Sequence, residues 1–122
     1  MCPQVVESSA NDASEAAAYV RNLVRRQISD GGVRGAIRRV GRQAGIGEWT
    51  AWAFYHGRRK TAGRGVIARL RDLYLATCER ELTRLADEIA IEKAKGRGDA
   101  ALEDIAAKVA AFAVEVREAR SR

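Results

Sequence analysis

Two glycines four residues apart, Gly41 and Gly45, constrain residues 37–56 more tightly than any other part of the chain is constrained. A glycine has no side chain to hold two helices apart, and it enters the left-handed backbone region without steric cost. Gly41 therefore marks a close approach within a first helix, and Gly45 marks that helix's end and the turn to the next. Val40, Ala44, Ile46, Ala51 and Phe54 recur at the steps that give two short helices one shared inward face. The spacing predicts a helix, a tight turn and a second helix crossing it steeply, the arrangement that mounts a helix where it can enter a DNA groove.

The punctuation around this pattern reads Gly45-Ile46-Gly47-Glu48-Trp49-Thr50-Ala51-Trp52-Ala53-Phe54-Tyr55-His56-Gly57-Arg58-Arg59-Lys60. A Gly-Ile step, a short helix and then Gly with basic residues resembles the lambda-repressor-like (Cro/repressor-type) helix-turn-helix family. The resemblance covers roughly residues 17–76, about half the chain. It implies that residues 48–56 form the recognition helix, and it places Gly47, Glu48, Trp49, Thr50, Trp52, Ala53 and His56 at or near the groove. One departure stands out: recognition helices of this family usually carry several Gln, Ser, Asn or Arg, whereas this one is crowded with aromatics. For each indole two placements are open, outward onto thymine methyls and sugars, or inward against the first helix or Tyr19. Glu48 can accept from a cytosine amino group, and Thr50 can reach a phosphate.

With 122 residues the chain holds one small domain, alone or with an appendage. Pro3 is the only proline, helix formers abound and no run alternates apolar and polar residues for long, so the expected class is all-α. Cys2 and Cys78 are too few for a disulfide framework or a zinc site and read as reduced thiols. Neither a signal-peptide pattern nor a membrane-spanning run is visible, so a cytoplasmic location is expected, on the nucleoid if DNA is the partner.

Charge is distributed unevenly. Residues 1–20 carry no Lys or Arg against three acids, 21–71 carry thirteen against two, and 72–122 carry nine against eleven, within a net charge of +6. The basic excess sits on the segment with the two-helix pattern, as displacement of counterions from phosphates requires. Arg38, Arg39 and Arg42 on the first motif helix, and Arg58, Arg59, Lys60 and Arg64 after the second, bracket the recognition helix as phosphate contacts would.

The rest of the chain reads as helices with marked ends. Residues 1–11 look like a flexible leader, and Asp12 and Glu15 have capping-box spacing at the start of a helix whose inner face is Ala17, Val20, Leu23, Val24 and Ile28. Asp30, Gly31 and Gly32 end it, and the first motif helix follows over residues 33–44. The DNA-binding domain is thus expected over 12–76. From residue 66 to about 95 Ile67, Leu70, Tyr74, Cys78, Leu82, Leu85 and Ile89 recur at steps of three or four. Gly96, Arg97 and Gly98 break this helix, Asp99 caps the next, and Leu102, Ile105, Val109, Phe112 and Val116 form a heptad seam. A helix of about thirty residues extends ~45 Å, so its distal part needs the last helix as cover, giving a coiled-coil-like helical hairpin over 77–122. Two helices make a thin core, and Ala94, Ala100, Ala101, Ala106, Ala107, Ala110, Ala111 and Ala113 suit close approach of another copy. The hairpin is therefore expected to join chains as a dimer or higher oligomer, the alternative being that it only completes an intramolecular core.

No catalytic or metal-binding set is visible. His56 is the only histidine and has no companions for metal or acid–base work, and the glycines match no phosphate-loop spacing. Neither an enzymatic activity nor a cofactor is expected. The residues and the resemblance together point to sequence-specific binding of double-stranded DNA, most simply by an oligomeric transcriptional regulator. Two other roles use the same parts: a DNA-recognition subunit of a larger assembly, such as a phage small-terminase-like protein, and an adaptor whose aromatic face grips an unidentified protein.

Overall fold

A computed structural model describes residues 2–29 and 31–122, with side chains from Asp12 onward. The described residues form five α-helices and no strand: α1 (Cys2–Gln27), α2 (Gly32–Ala44), α3 (Glu48–Tyr55), α4 (Arg64–Ala94) and α5 (Ala100–Ser121). The all-α expectation holds. The chain divides into two compact units, Met1–Tyr74 and Leu75–Arg122.

Helix α1 begins ten residues ahead of the expected start, so the backbone over 2–11 is helical where the sequence suggests a leader. The physical reason is the absence of a breaker. Pro3 stands in the first turn, where its missing N–H is an orphan in any helix, and no glycine follows before Gly31. Asp12 and Glu15 consequently lie inside α1 rather than at its cap. Glu15 instead accepts from the Tyr19 hydroxyl one turn on, at 3.2 Å. The expected part of Asp30 in ending α1 lies outside the described residues.

In the first unit α1 packs against α2 and α3, and α2 packs against α3. The core is Ala16, Val20, Leu23 and Val24 of α1, Ala36, Ile37, Val40 and Ala44 of α2, Ala51 and Phe54 of α3, Ala62 of the loop that follows, and Leu70 of α4. Ile46 is half-buried against it, and Ile28, expected on the inner face of α1, is 50 % exposed because α1 stops at Gln27. Tyr19 meets Tyr74 rather than a tryptophan, with ring centroids 5.4 Å apart.

Three helices end on a glycine in the left-handed region, with the same pair of closing hydrogen bonds. At Gly45 (φ 70°) the Gly45 N–H reaches the Arg42 carbonyl and the Ile46 N–H reaches that of Gly41. At Gly57 (φ 69°) the pair is Gly57 to Phe54 and Arg58 to Ala53, and at Gly96 (φ 78°) it is Gly96 to Lys93 and Arg97 to Glu92.

In the second unit Asp99 is extended and its Oδ1 accepts from the Leu102 N–H at 2.8 Å, capping α5 as expected. Glu79 of α4 is paired with Arg117 and Arg120 of α5, and Lys93 with Glu103, so the two helices run antiparallel as a hairpin. The expected seam divides in two. Val109, Val116 and Ile89 are buried with Ala113, and Leu82 and Leu102 are half-buried, whereas Leu85, Ile105 and Phe112 are exposed. The covered strip of α5 runs through Leu102, Ala106, Val109, Ala113 and Val116, displaced by one residue from the expected repeat at two steps, which leaves Ile105 and Phe112 at its uncovered edge.

Candidate nucleic-acid interface

The site is built on the Gly41–Gly47 turn. A Cβ on Gly41 would stand 2.5 Å from the Gly47 carbonyl oxygen and 3.0 Å from the Glu48 nitrogen, so only glycine lets α3 start this close to α2. Gly47 itself has φ 88°, and its carbonyl accepts from the Ala51 N–H, the first turn of α3. The far end of α3 is held by Arg21, whose Nε donates to the Tyr55 carbonyl at 3.0 Å. A guanidinium on an orphan carbonyl also complements the negative end of the helix dipole.

With Ala51 and Phe54 buried, the remaining residues of α3 divide by depth. Trp49 is 80 % exposed and Glu48 and His56 are exposed, whereas Thr50, Trp52 and Ala53 are half-buried. Trp49 is thus turned to solvent, whereas Trp52 is partly buried. Trp52 leans on the core, and its ring meets Trp49 edge-on at 6.1 Å and His56 at 4.5 Å. Beside α3 lies a groove of about 570 Å³, lined by Val33, Ile37, Arg34 and Arg38 of α2 and by Glu48, Trp49, Trp52 and His56. Val33 and Arg34 were not singled out from the sequence, although the step of four from Arg34 to Arg38 places both on one helix face.

The basic residues have separate surroundings. Arg38 Nε donates to Glu48 Oε1 at 3.3 Å, a half-exposed pair whose bond does not involve the Nη groups. Such a pair contributes little to stability, about 0–1 kcal/mol, and engages one oxygen of the carboxylate expected to meet a cytosine amino group. Arg39 serves the fold itself, since its Nη2 donates to the Gln27 carbonyl at 2.6 Å and to Ser29 Oγ at 3.3 Å, tying α2 to the end of α1. Arg42, Lys60 and Arg64 are exposed. Arg58 lies over the Trp52 ring at 5.7 Å and Arg59 over Phe54 at 5.4 Å, so the loop after α3 is held by cation–π contacts while its charges face solvent. Arg69, also missed in the sequence, donates to the Gly45 carbonyl at 3.2 Å. Of the thirteen Lys and Arg in residues 21–71, all but Arg39 and Arg71 are exposed.

Among the described residues no group of three His, Cys, Asp or Glu side chains could hold a metal ion, and no helix is long and apolar enough to cross a membrane. Cys78 carries a free, half-buried thiol; the side chain of Cys2 is not among those described. No family model, curated protein or solved structure matches this chain.

Proposed function

We propose that this protein binds double-stranded DNA through α3 and the basic residues that flank it, as a regulator of transcription. The observation that carries the reading is the pairing of a short helix, mounted on a glycine turn, with exposed basic side chains before and after it in the chain: Arg34, Arg38 and Arg42 on α2, and Arg58, Arg59, Lys60 and Arg64 beyond α3. Duplex DNA presents a regular array of phosphates on either side of the major groove, and cations spaced around a protruding helix complement it. The charge is also localised: Met1–Tyr74 holds thirteen Lys and Arg against six acids, Leu75–Arg122 nine against ten.

The hairpin supplies the second half of the proposal. Ile105 and Phe112 are 48 % and 54 % exposed on α5, and with Leu85 they form apolar surface that a second copy of the hairpin would cover. A dimer doubles the phosphate contacts and allows two half-sites to be read, which a single small domain of this kind needs for useful specificity.

Fluorescence anisotropy of a labelled mixed-sequence duplex over a potassium chloride series tests the reading. Each phosphate contact contributes about −0.9 to the slope of log K against log salt, so a slope of roughly −3 or steeper is expected if half of these seven cations engage. Absence of duplex binding at low salt would overturn the proposal, and retention of a protein ligand by the same surface would favour the adaptor role, for which exposed Trp49 is the supporting observation.

A further inference from the structure

The outward face of α3 lacks the side chains that usually read base edges. Its eight residues, Glu48–Tyr55, include no Arg, Lys, Asn or Gln, the types that make bidentate hydrogen bonds to guanine or adenine. Glu48 is paired through one oxygen with Arg38, Thr50 is half-buried, and the rest of the face beside the groove is Trp49 and Trp52 with His56 at its end. The faces of the two indoles carry no donor or acceptor matched to guanine, adenine or cytosine, so burying those polar edges against them would desolvate the edges without replacing their hydrogen bonds. The one feature of the major groove that an apolar surface can recognise is the methyl group at C5 of a pyrimidine.

We propose, on the basis of the DNA-binding reading above, that Trp49 and Trp52 select duplex DNA by seating pyrimidine 5-methyl groups, thymine's foremost, in the α2–α3 groove. Three observations converge. The two indoles meet edge to face at 6.1 Å and form a corner rather than a flat patch. That corner is preorganised, because Trp52 is held from behind by the core and flanked by His56 and by the Arg58 guanidinium. Its lining is completed by Val33 and Ile37, and by Arg34 and Arg38, whose two positive charges outweigh the one carboxylate, Glu48, in the same groove. Apolar walls with a cationic rim match a methyl group flanked by phosphates, and charge complementarity favours DNA over an acyl chain or a neutral apolar peptide. Trp49 is the specificity-determining side chain and Trp52 positions it.

The test compares alternating d(AT) and d(AU) duplexes of about 24 base pairs, which differ only in the methyl group, at low salt. Each methyl buried against an indole should tighten binding about fourfold, so the wild type should bind d(AT) at least that much better than d(AU). Trp49→Ala should abolish the preference, so that d(AT) and d(AU) are bound with the same affinity. Because Trp49 is 80 % exposed, the variant should keep the wild-type melting temperature, which excludes misfolding as the cause. Equal binding of both duplexes by the wild type, or a methyl preference that survives in Trp49→Ala, would overturn the inference. Failure to bind either duplex would instead overturn the DNA-binding reading on which it rests.

Discussion

Gly41 is the position where one atom decides whether α3 can sit where it does. In Gly41→Ala the new Cβ falls 2.5 Å from the Gly47 oxygen, 2.7 Å from the Gly47 carbonyl carbon and 3.0 Å from the Glu48 nitrogen. These are backbone atoms about 1 Å inside ordinary contact, so the turn must move because no side chain can rotate away. That turn is held by two hydrogen bonds, from the Ile46 and Gly47 N–H groups to the Gly41 carbonyl at 3.1 Å each, and moving it stretches both. Overpacking of this kind costs about 1–3 kcal/mol and each strained bond up to about 1 kcal/mol, while alanine returns about 1 kcal/mol of helix propensity. At mid-range these terms leave a net loss of about 2 kcal/mol, and at most about 4, so the melting temperature of a unit this size should fall by roughly 10 °C or more. Gly35→Ala is the matched control in the same helix: its Cβ meets only Arg39 Nη1 at 3.5 Å, an ordinary contact, so it should gain about 0.5–1 kcal/mol. Both tryptophans lie in the first unit, so thermal unfolding followed by tryptophan fluorescence reports that unit directly. Shifts of the same sign in the two variants, or a Gly41→Ala protein as stable as the wild type, would refute the argument.

The arginines should separate by role. Arg58→Ala and Arg59→Ala each remove one cation–π contact, worth about 0.5–1 kcal/mol at an exposed site, and should each flatten the salt dependence of duplex binding by about one phosphate, read from the anisotropy titration. An unchanged slope in both would count against them as phosphate contacts. Arg39→Ala should do the reverse, losing about 1–3 kcal/mol in urea unfolding with the salt slope intact, because its guanidinium serves the Gln27 carbonyl and Ser29. Ile105→Asp with Phe112→Asp should leave helix content by circular dichroism unchanged and reduce the particle to one chain by light scattering; a wild-type particle that already contains one chain would contradict the dimer. Burial, then the Glu15 hydrogen bond and charge, raise the Tyr19 pKa above 10.0. The folded state thus holds that proton more tightly than the unfolded chain, a stabilisation present below the ordinary phenol pKa and lost as pH rises through the raised one. Tyr19→Phe should therefore show a shallower alkaline fall in urea midpoint.

Helix ends were legible in the sequence because they depend on single residues and their immediate neighbours. Gly45 and Gly96 stop helices by entering the left-handed region, and Asp99 starts one with a local hydrogen bond, all within four residues of chain. The inward set of α2 and α3 was legible for a related reason: Val40, Ala44, Ala51 and Phe54 follow helical periodicity, and a periodic apolar face must be buried somewhere. Even the misjudged start of α1 at Cys2 is a local matter of a missing breaker.

What the sequence by itself determined is therefore the all-α class, the glycine turn before a short aromatic helix, and the concentration of positive charge around it. Only the tertiary structure decided which side chains are free to meet another molecule. Arg39 and Arg42 stand three residues apart on one helix, yet Arg39 is turned to a carbonyl twelve residues earlier in the chain while Arg42 is exposed. Trp49 and Trp52 also lie three apart, and one faces solvent while the other leans on the core. The heptad seam is divided in the same way, with Val109 and Val116 covered and Ile105 and Phe112 left bare. The physical reason is common to all three: periodicity assigns a residue to a face, but where neighbouring helices cross sets how wide a strip of that face is covered, and residues at the strip's edge fall to either side.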